Sequence, residues 1–150
     1  MFLVTVKVTK RRIITFIASK TTKLNKILSF VSIVGAIGIA LGAFGAHALK
    51  EILTPVRMQS FETAVRYQLF HVLIILVIGC STYFSEKAKK TIAWIFIIGI
   101  LFFSGSIYVI TLEWVPIKYT WFLTPLGGLF LILGWLKSAF QIFKTSKLRN

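Results

Sequence analysis

The chain has 150 residues, 57% of them hydrophobic, with 18 Lys and Arg against 4 acids and a formal charge of +14. A soluble domain of this size has too little interior to hide so much apolar surface. The basic residues gather at the ends of apolar segments instead of forming a face on a soluble surface, which argues against nucleic-acid binding; the 4 acids, all Glu, are too few for a carboxylate-based hydrolase.

Residues 1–26 form a basic tail with a short apolar run, 13–18, that cannot span a bilayer. The tail reads in three ways: as a disordered cytoplasmic extension, as a segment lying on an anionic membrane surface, or as sequence upstream of a true start near Asn25. The first span is predicted over 27–49, since a hydrocarbon core of about 30 Å takes roughly 20 helical residues. A basic region, an apolar run and Ala46-His47-Ala48 imitate a signal-peptide cleavage site, but the run is longer than the usual core of about 7–15 residues. Gly35, Gly38, Gly42 and Gly45 fall on one face of this helix, with Gly38 and Gly42 forming a GxxxG pair. Ala36, Ala40 and Ala43 run down the opposite face toward His47. A helix small on two sides is expected to sit centrally between two others, with homodimerisation as the other use for one stripe.

Thr54-Pro55 reads as an N-cap with proline at the first helical position, starting a short interfacial helix before a second span over 61–84. The lone cysteine, Cys80, excludes an intramolecular disulfide and reads as a small apolar core residue. The third span is predicted over 92–112, with Ser104, Tyr108 and Thr111 on one face as hydroxyls that bond to backbone carbonyls or a neighbouring helix. Trp114, Tyr119 and Trp121 then cluster like an interfacial aromatic belt. Thr124-Pro125 opens the fourth span, 125–143, where Gly127 and Gly134 serve packing and Ser138 lies one turn on. Residues 144–150 are a second basic tail.

The period-2 pattern of a barrel is absent, so the fold class is all-α: an integral membrane bundle of four antiparallel helices. With both termini inside, 14 Lys and Arg lie on that side against 4 outside. The positive-inside rule therefore predicts cytoplasmic termini in a bacterial plasma membrane. The bilayer is the implied partner, with a homo-oligomer or another membrane protein as further candidates.

Ionisable groups within spans are costly and so are functional candidates. His47 ends the first span; Glu62, Arg66, Tyr67, Gln68 and His71 occupy the first turns of the second. Glu62 and Arg66 can pair at i,i+4. His71 shares a face with Tyr67 and Gln68, and His47 could meet either face. Three uses are open: a structural ion pair with hydrogen-bonded histidines that docks the first two spans, a proton-linked or ligand site, and a metal site. The last lacks the close ligand spacing of strong motifs. No nucleophile elbow, phosphate loop or haem-attachment motif appears, so neither a catalytic residue nor a cofactor is assigned.

The segment Gly42-Ala-Phe-Gly-Ala-His47-Ala-Leu49 resembles the hallmark of domain-of-unknown-function family 423, small bacterial membrane proteins. Phe61-Glu-Thr-Ala-Val-Arg66-Tyr-Gln68-Leu-Phe-His71, Phe103-Ser-Gly-Ser-Ile-Tyr108 and Thr124-Pro-Leu-Gly-Gly128 resemble its further signatures, in order. The resemblance implies a four-span inner-membrane protein and raises the weight of His47, Glu62, Tyr67, Gln68 and His71 without supplying a reaction. Three roles are carried forward: a structural or accessory protein, a small oligomeric transporter or channel using the His/Glu cluster, and a lipid-binding protein.

Overall fold

The structure is a computed structural model that describes residues 2–147, with side chains from 23 to 146 except that of 117. It is helical, with no strand among the described residues. The helices are α1 (Phe2–Phe44), α2 (Pro55–Cys80), α3 (Glu86–Thr111), the short α4 (Ile117–Thr120) and α5 (Leu123–Lys147), with a π-helical turn over Gly45–Leu49 ending α1. Four helical stretches, Lys23–Leu49, Pro55–Cys80, Glu86–Thr111 and Lys118–Ser146, are long and apolar enough to cross a membrane.

Capping residues set the helix starts further out than hydropathy does. Thr54 is extended and its hydroxyl accepts from the Arg57 amide, so Thr54-Pro55 opens α2 itself and not a separate interfacial helix. The backbone turns extended at Ser81, so 81–84 lies outside α2, and Cys80 is an exposed helix end instead of a core residue. Ser85 caps α3, adding a polar first turn ahead of residue 92. At the other end of α3, Glu113 takes a positive φ of 58°, while its amide bonds to Ile110 O and that of Trp114 to Val109 O. This is a Schellman stop with Glu in the place usually held by glycine. In the tail, the backbone of α1 is helical from Phe2; the side chains that would distinguish a surface-lying segment fall outside the described residues.

The central helix is α3, which packs against α1, α2 and α5, whereas α1 rests chiefly on α2. The expected central place of the first span is thus corrected. Only its glycine face is covered: Gly35 meets Val72, Gly38 meets Gln68 and Leu69, Gly42 meets Val65, and Gly45 meets Phe61. Ala36, Ala40 and Ala43 are exposed. Small residues let backbones approach in lipid, where van der Waals packing replaces the hydrophobic drive, and one such face is enough to dock α1.

The largest core cluster joins Val31, Val72, Ile75, Ile92, Phe96, Ile100 and Leu131 from all four long helices. On the α3–α5 seam, a Cβ on Gly127 would run into the Phe102–Phe103 backbone, and Gly134 lies under the Phe96 ring. Large apolar side chains such as Ile39, Leu101 and Leu136 are exposed, as a bilayer-facing surface requires.

Candidate functional site

Buried polar groups must find partners where water is absent, and Gln68 finds two. Its amide Nε2 donates to Val34 O of α1 at 2.8 Å, and its Oε1 accepts from the Tyr108 hydroxyl of α3 at 2.9 Å. One side chain of α2 thereby ties three helices. Ser104 adds a second α3–α2 tie, donating to Ala64 O at 2.8 Å. The Phe61 ring lies against that of Tyr108, centroids 5.0 Å apart.

His71, one turn after Gln68 and on the same helix, is 3% exposed. Its Nδ1 lies 2.8 Å from Tyr67 O, and Trp135 of α5 donates from Nε1 to its Nε2 at 3.3 Å. A carbonyl only accepts and an indole N–H only donates, so the pattern selects the neutral imidazole with its proton on Nδ1. Around it stand Phe70, Phe96 and Trp135, with ring centroids 5.3–6.4 Å from that of His71, while Tyr67 stacks on Phe103 at 4.6 Å.

Helices α2 and α5 both lie on α3, leaving a groove of about 990 Å³ between them. Phe103 of α3 lies within it; α2 contributes Tyr67, Phe70 and Leu73, and α5 contributes Ile132 and Trp135. Arg66 and Thr63 stand at the end nearer the start of α2. These α2 and α5 wall residues are largely exposed, so the groove opens sideways.

A separate feature joins the first turn of α2 to the segment that follows α3. Arg57 and Glu113 form an ion pair, both side chains being exposed. The hydrogen bond and charge of the guanidinium hold the Glu113 carboxyl below the usual glutamate range.

The six residues of the sequence-derived polar cluster therefore do not form one unit. Gln68 and His71 are buried and bonded; Tyr67 supplies a ring and a carbonyl. The expected Glu62–Arg66 pair is absent: Glu62 is exposed, and Arg66 donates to Thr63 Oγ1 at 3.1 Å. The Thr63 hydroxyl, three residues back instead of four, satisfies one guanidinium donor locally and leaves the Glu62 carboxylate exposed. His47, in the π-helical turn, is exposed and takes no part in the His71 network. Of the hydroxyl stripe, Ser104 and Tyr108 reach α2, whereas Thr111 bonds back to Ile107 O at 2.8 Å within its own helix. Ser138 does the same to Gly134 O. Among the described residues, no group of three His, Cys, Asp or Glu is placed to hold a metal ion.

Trp135 escaped the sequence reading, and Gly128 entered it only as the end of a family signature, with no role at a site. A signal for Trp135 was present: an indole near the middle of a span, away from either interface, needs an acceptor for its N–H. Nothing local marked Gly128 as groove-lining, because helix packing at its neighbour Gly127 explains the pair.

Residues 41–128 match the model of a family described as a protein of unknown function, DUF423. A UPF0382 membrane protein of Haemophilus influenzae is 36% identical over 83% of this chain and 98% of its own length. The UPF0382 membrane protein SH2409 of Staphylococcus haemolyticus is 37% identical over 71% of this chain and 85% of its own length. The UPF0382 inner membrane protein YgdD of Escherichia coli K12 is also 37% identical, over 72% of this chain and 82% of its own length. No solved structure matches the chain. With four apolar helices, a family model that matches residues 41–128 and relatives that cover 71–83% of the chain, this chain belongs to the DUF423 family of membrane proteins.

Proposed function

We propose that this protein is a membrane-embedded binding module for a lipid-like chain, in which the polar interior docks helices and does not conduct. The supporting observation is the lateral groove between α2 and α5. Its volume of about 990 Å³ lies at the top of the range of about 300–1,000 Å³ usual for ligand sites. Its walls are mainly aromatic and aliphatic, and its open side faces where the bilayer would be. A transport path through the His/Glu cluster has less support, because His71 is buried and bonded on both nitrogens while His47 and Glu62 are exposed and share none of its bonds.

An up-down antiparallel arrangement with cytoplasmic termini fits this reading. The Lys and Arg distribution favours the cytoplasmic termini, and the contacts of Arg57 with Glu113 and of Gln68 with Tyr108 favour the antiparallel run of α2 and α3. A second reading, an accessory role through a second copy or a membrane partner, is favoured by the exposed Ala36, Ala40 and Ala43 face.

The test uses Trp135 as reporter. Replacing Trp94, Trp114 and Trp121, all exposed, by Phe leaves one indole, on the groove wall. In detergent, chain-brominated phosphatidylcholine should quench it saturably. Gly128→Leu should remove the saturable part, since a Cβ there meets nothing nearer than the Phe103 ring at 3.8 Å and the new side chain fills the groove. Linear quenching that is the same in both proteins would mean surface contact alone and overturn the reading.

A further inference from the structure

Resting on the lipid-groove reading, we infer that the occupant is an anionic glycerophospholipid whose phosphate is held by Arg66. Among the described residues, Arg66 is the one charged residue that lines the groove, and no acid lines it. It lies eleven residues after Pro55, about 16 Å along α2, within a helix apolar enough to span the membrane. A cation at such a position is costly unless it is paired or reaches the interface.

No carboxylate among the described residues forms an ion pair with it. Of the four Glu, Glu113 pairs with Arg57 and Glu86 with Lys89. Glu51 and Glu62 are exposed, and neither forms an ion pair among the described residues. The guanidinium spends one donor on Thr63 Oγ1 at 3.1 Å, and the Thr63 hydroxyl in turn donates to Gln59 O at 2.9 Å. Arg66 is thus oriented by a relay on its own helix, with its other donors uncommitted. A planar guanidinium has five N–H donors and matches the geometry of a phosphate bidentately.

From Arg66 the groove continues past Tyr67 and Phe70 to Leu73, Ile132 and Trp135. A headgroup at its charged end would lay an acyl chain along this apolar wall. With no acid lining the groove to receive an ammonium group, a net negative headgroup is preferred over a zwitterionic one.

The single-indole protein tests this with chain-brominated phosphatidylglycerol and phosphatidylcholine carrying the same acyl chains. The expected result is half-saturation at about five-fold lower phosphatidylglycerol, the factor that one cation near an anionic headgroup gives. Arg66→Gln should bring the two curves together, whereas Arg66→Lys should keep most of the preference. Arg66 is exposed and bonded only within its helix, so Arg66→Gln leaves the packing alone; quenching by phosphatidylcholine that stays saturable, at a higher half-saturation because its phosphate too has lost the guanidinium, checks that the groove is intact. Equal half-saturation in the parent protein would overturn the headgroup assignment and leave the lipid groove standing. A preference that survives Arg66→Gln would also overturn it, by moving the anion elsewhere. Absence of saturable quenching by either lipid would overturn the groove reading itself.

Discussion

Gln68 shows how one polar side chain can lock a membrane bundle. Its amide bonds a carbonyl of α1 with one end and a hydroxyl of α3 with the other. Gln68→Leu keeps the volume but strands the Tyr108 hydroxyl, and it should cost about 1–3 kcal/mol in a reversible unfolding assay in detergent. Tyr108→Phe keeps the ring contact with Phe61 and should cost less, about 0.6 kcal/mol, the average for such bonds in membranes. Because the two changes remove one shared bond, the double variant should be no worse than Gln68→Leu; additive costs would show that the bond contributes nothing. At the protein's edge, the Arg57–Glu113 pair carries a pH dependence of known sign. The carboxyl is depressed in the folded protein, so the pair is present above the usual glutamate range and is lost as pH falls through the depressed value. A carboxyl-carbon NMR titration should place the Glu113 midpoint higher in Arg57→Gln. Since both groups are exposed, thermal stability at neutral pH should hardly change.

The helices differ in how closely they approach one another, and glycines record it. At Gly127 an added methyl would collide with the main chain of α3, which no rotamer change can relieve. Gly127→Ala should push α5 off α3 and cost about 1–3 kcal/mol or more. Gly105→Ala is the internal comparison: its Cβ would lie 4.0 Å from Leu101 Cδ1, so the better helix former should leave stability level or raise it by up to about 1 kcal/mol. The same unfolding assay reads both, and equal effects would refute the close-approach account. The four apolar stretches and the glycine face of α1 were legible in the sequence, because hydropathy and the 3.6-residue period are local properties. The extents of α2 and α3 followed from Thr54 and Ser85, capping residues that hydropathy ignores. The central place of α3 was not legible. Small residues say that a neighbour can approach, not that one does, and the alanine face of α1 has none.

At the scale of the whole molecule, the polar residues gathered by sequence proximity divide into an interior set and an outward set. Nothing local distinguishes Gln68 and His71, which are bonded inside, from Glu62 and His47, which point out: the acceptors are Val34 and the donors Tyr108 and Trp135, all on other helices. In a Cys80→Ala background, a membrane-impermeant thiol reagent should label His47→Cys readily in intact cells and leave His71→Cys protected until the protein is unfolded. Ready labelling of both would reveal a hydrated cavity and return transport to the foreground. The arrangement of the long helices has one more consequence. Since α2 and α5 meet across α3 mainly through side chains, with Phe70 and His71 reaching Trp135, the bundle is left unclosed along one flank. On the lipid-groove reading, an occupant arriving from the bilayer would cross no gate, and no helix would have to swing aside to release it. Exchange would then be set by residence time against lateral diffusion in the membrane, so such a protein could sample its lipid surroundings continuously without any conformational cycle or energy input.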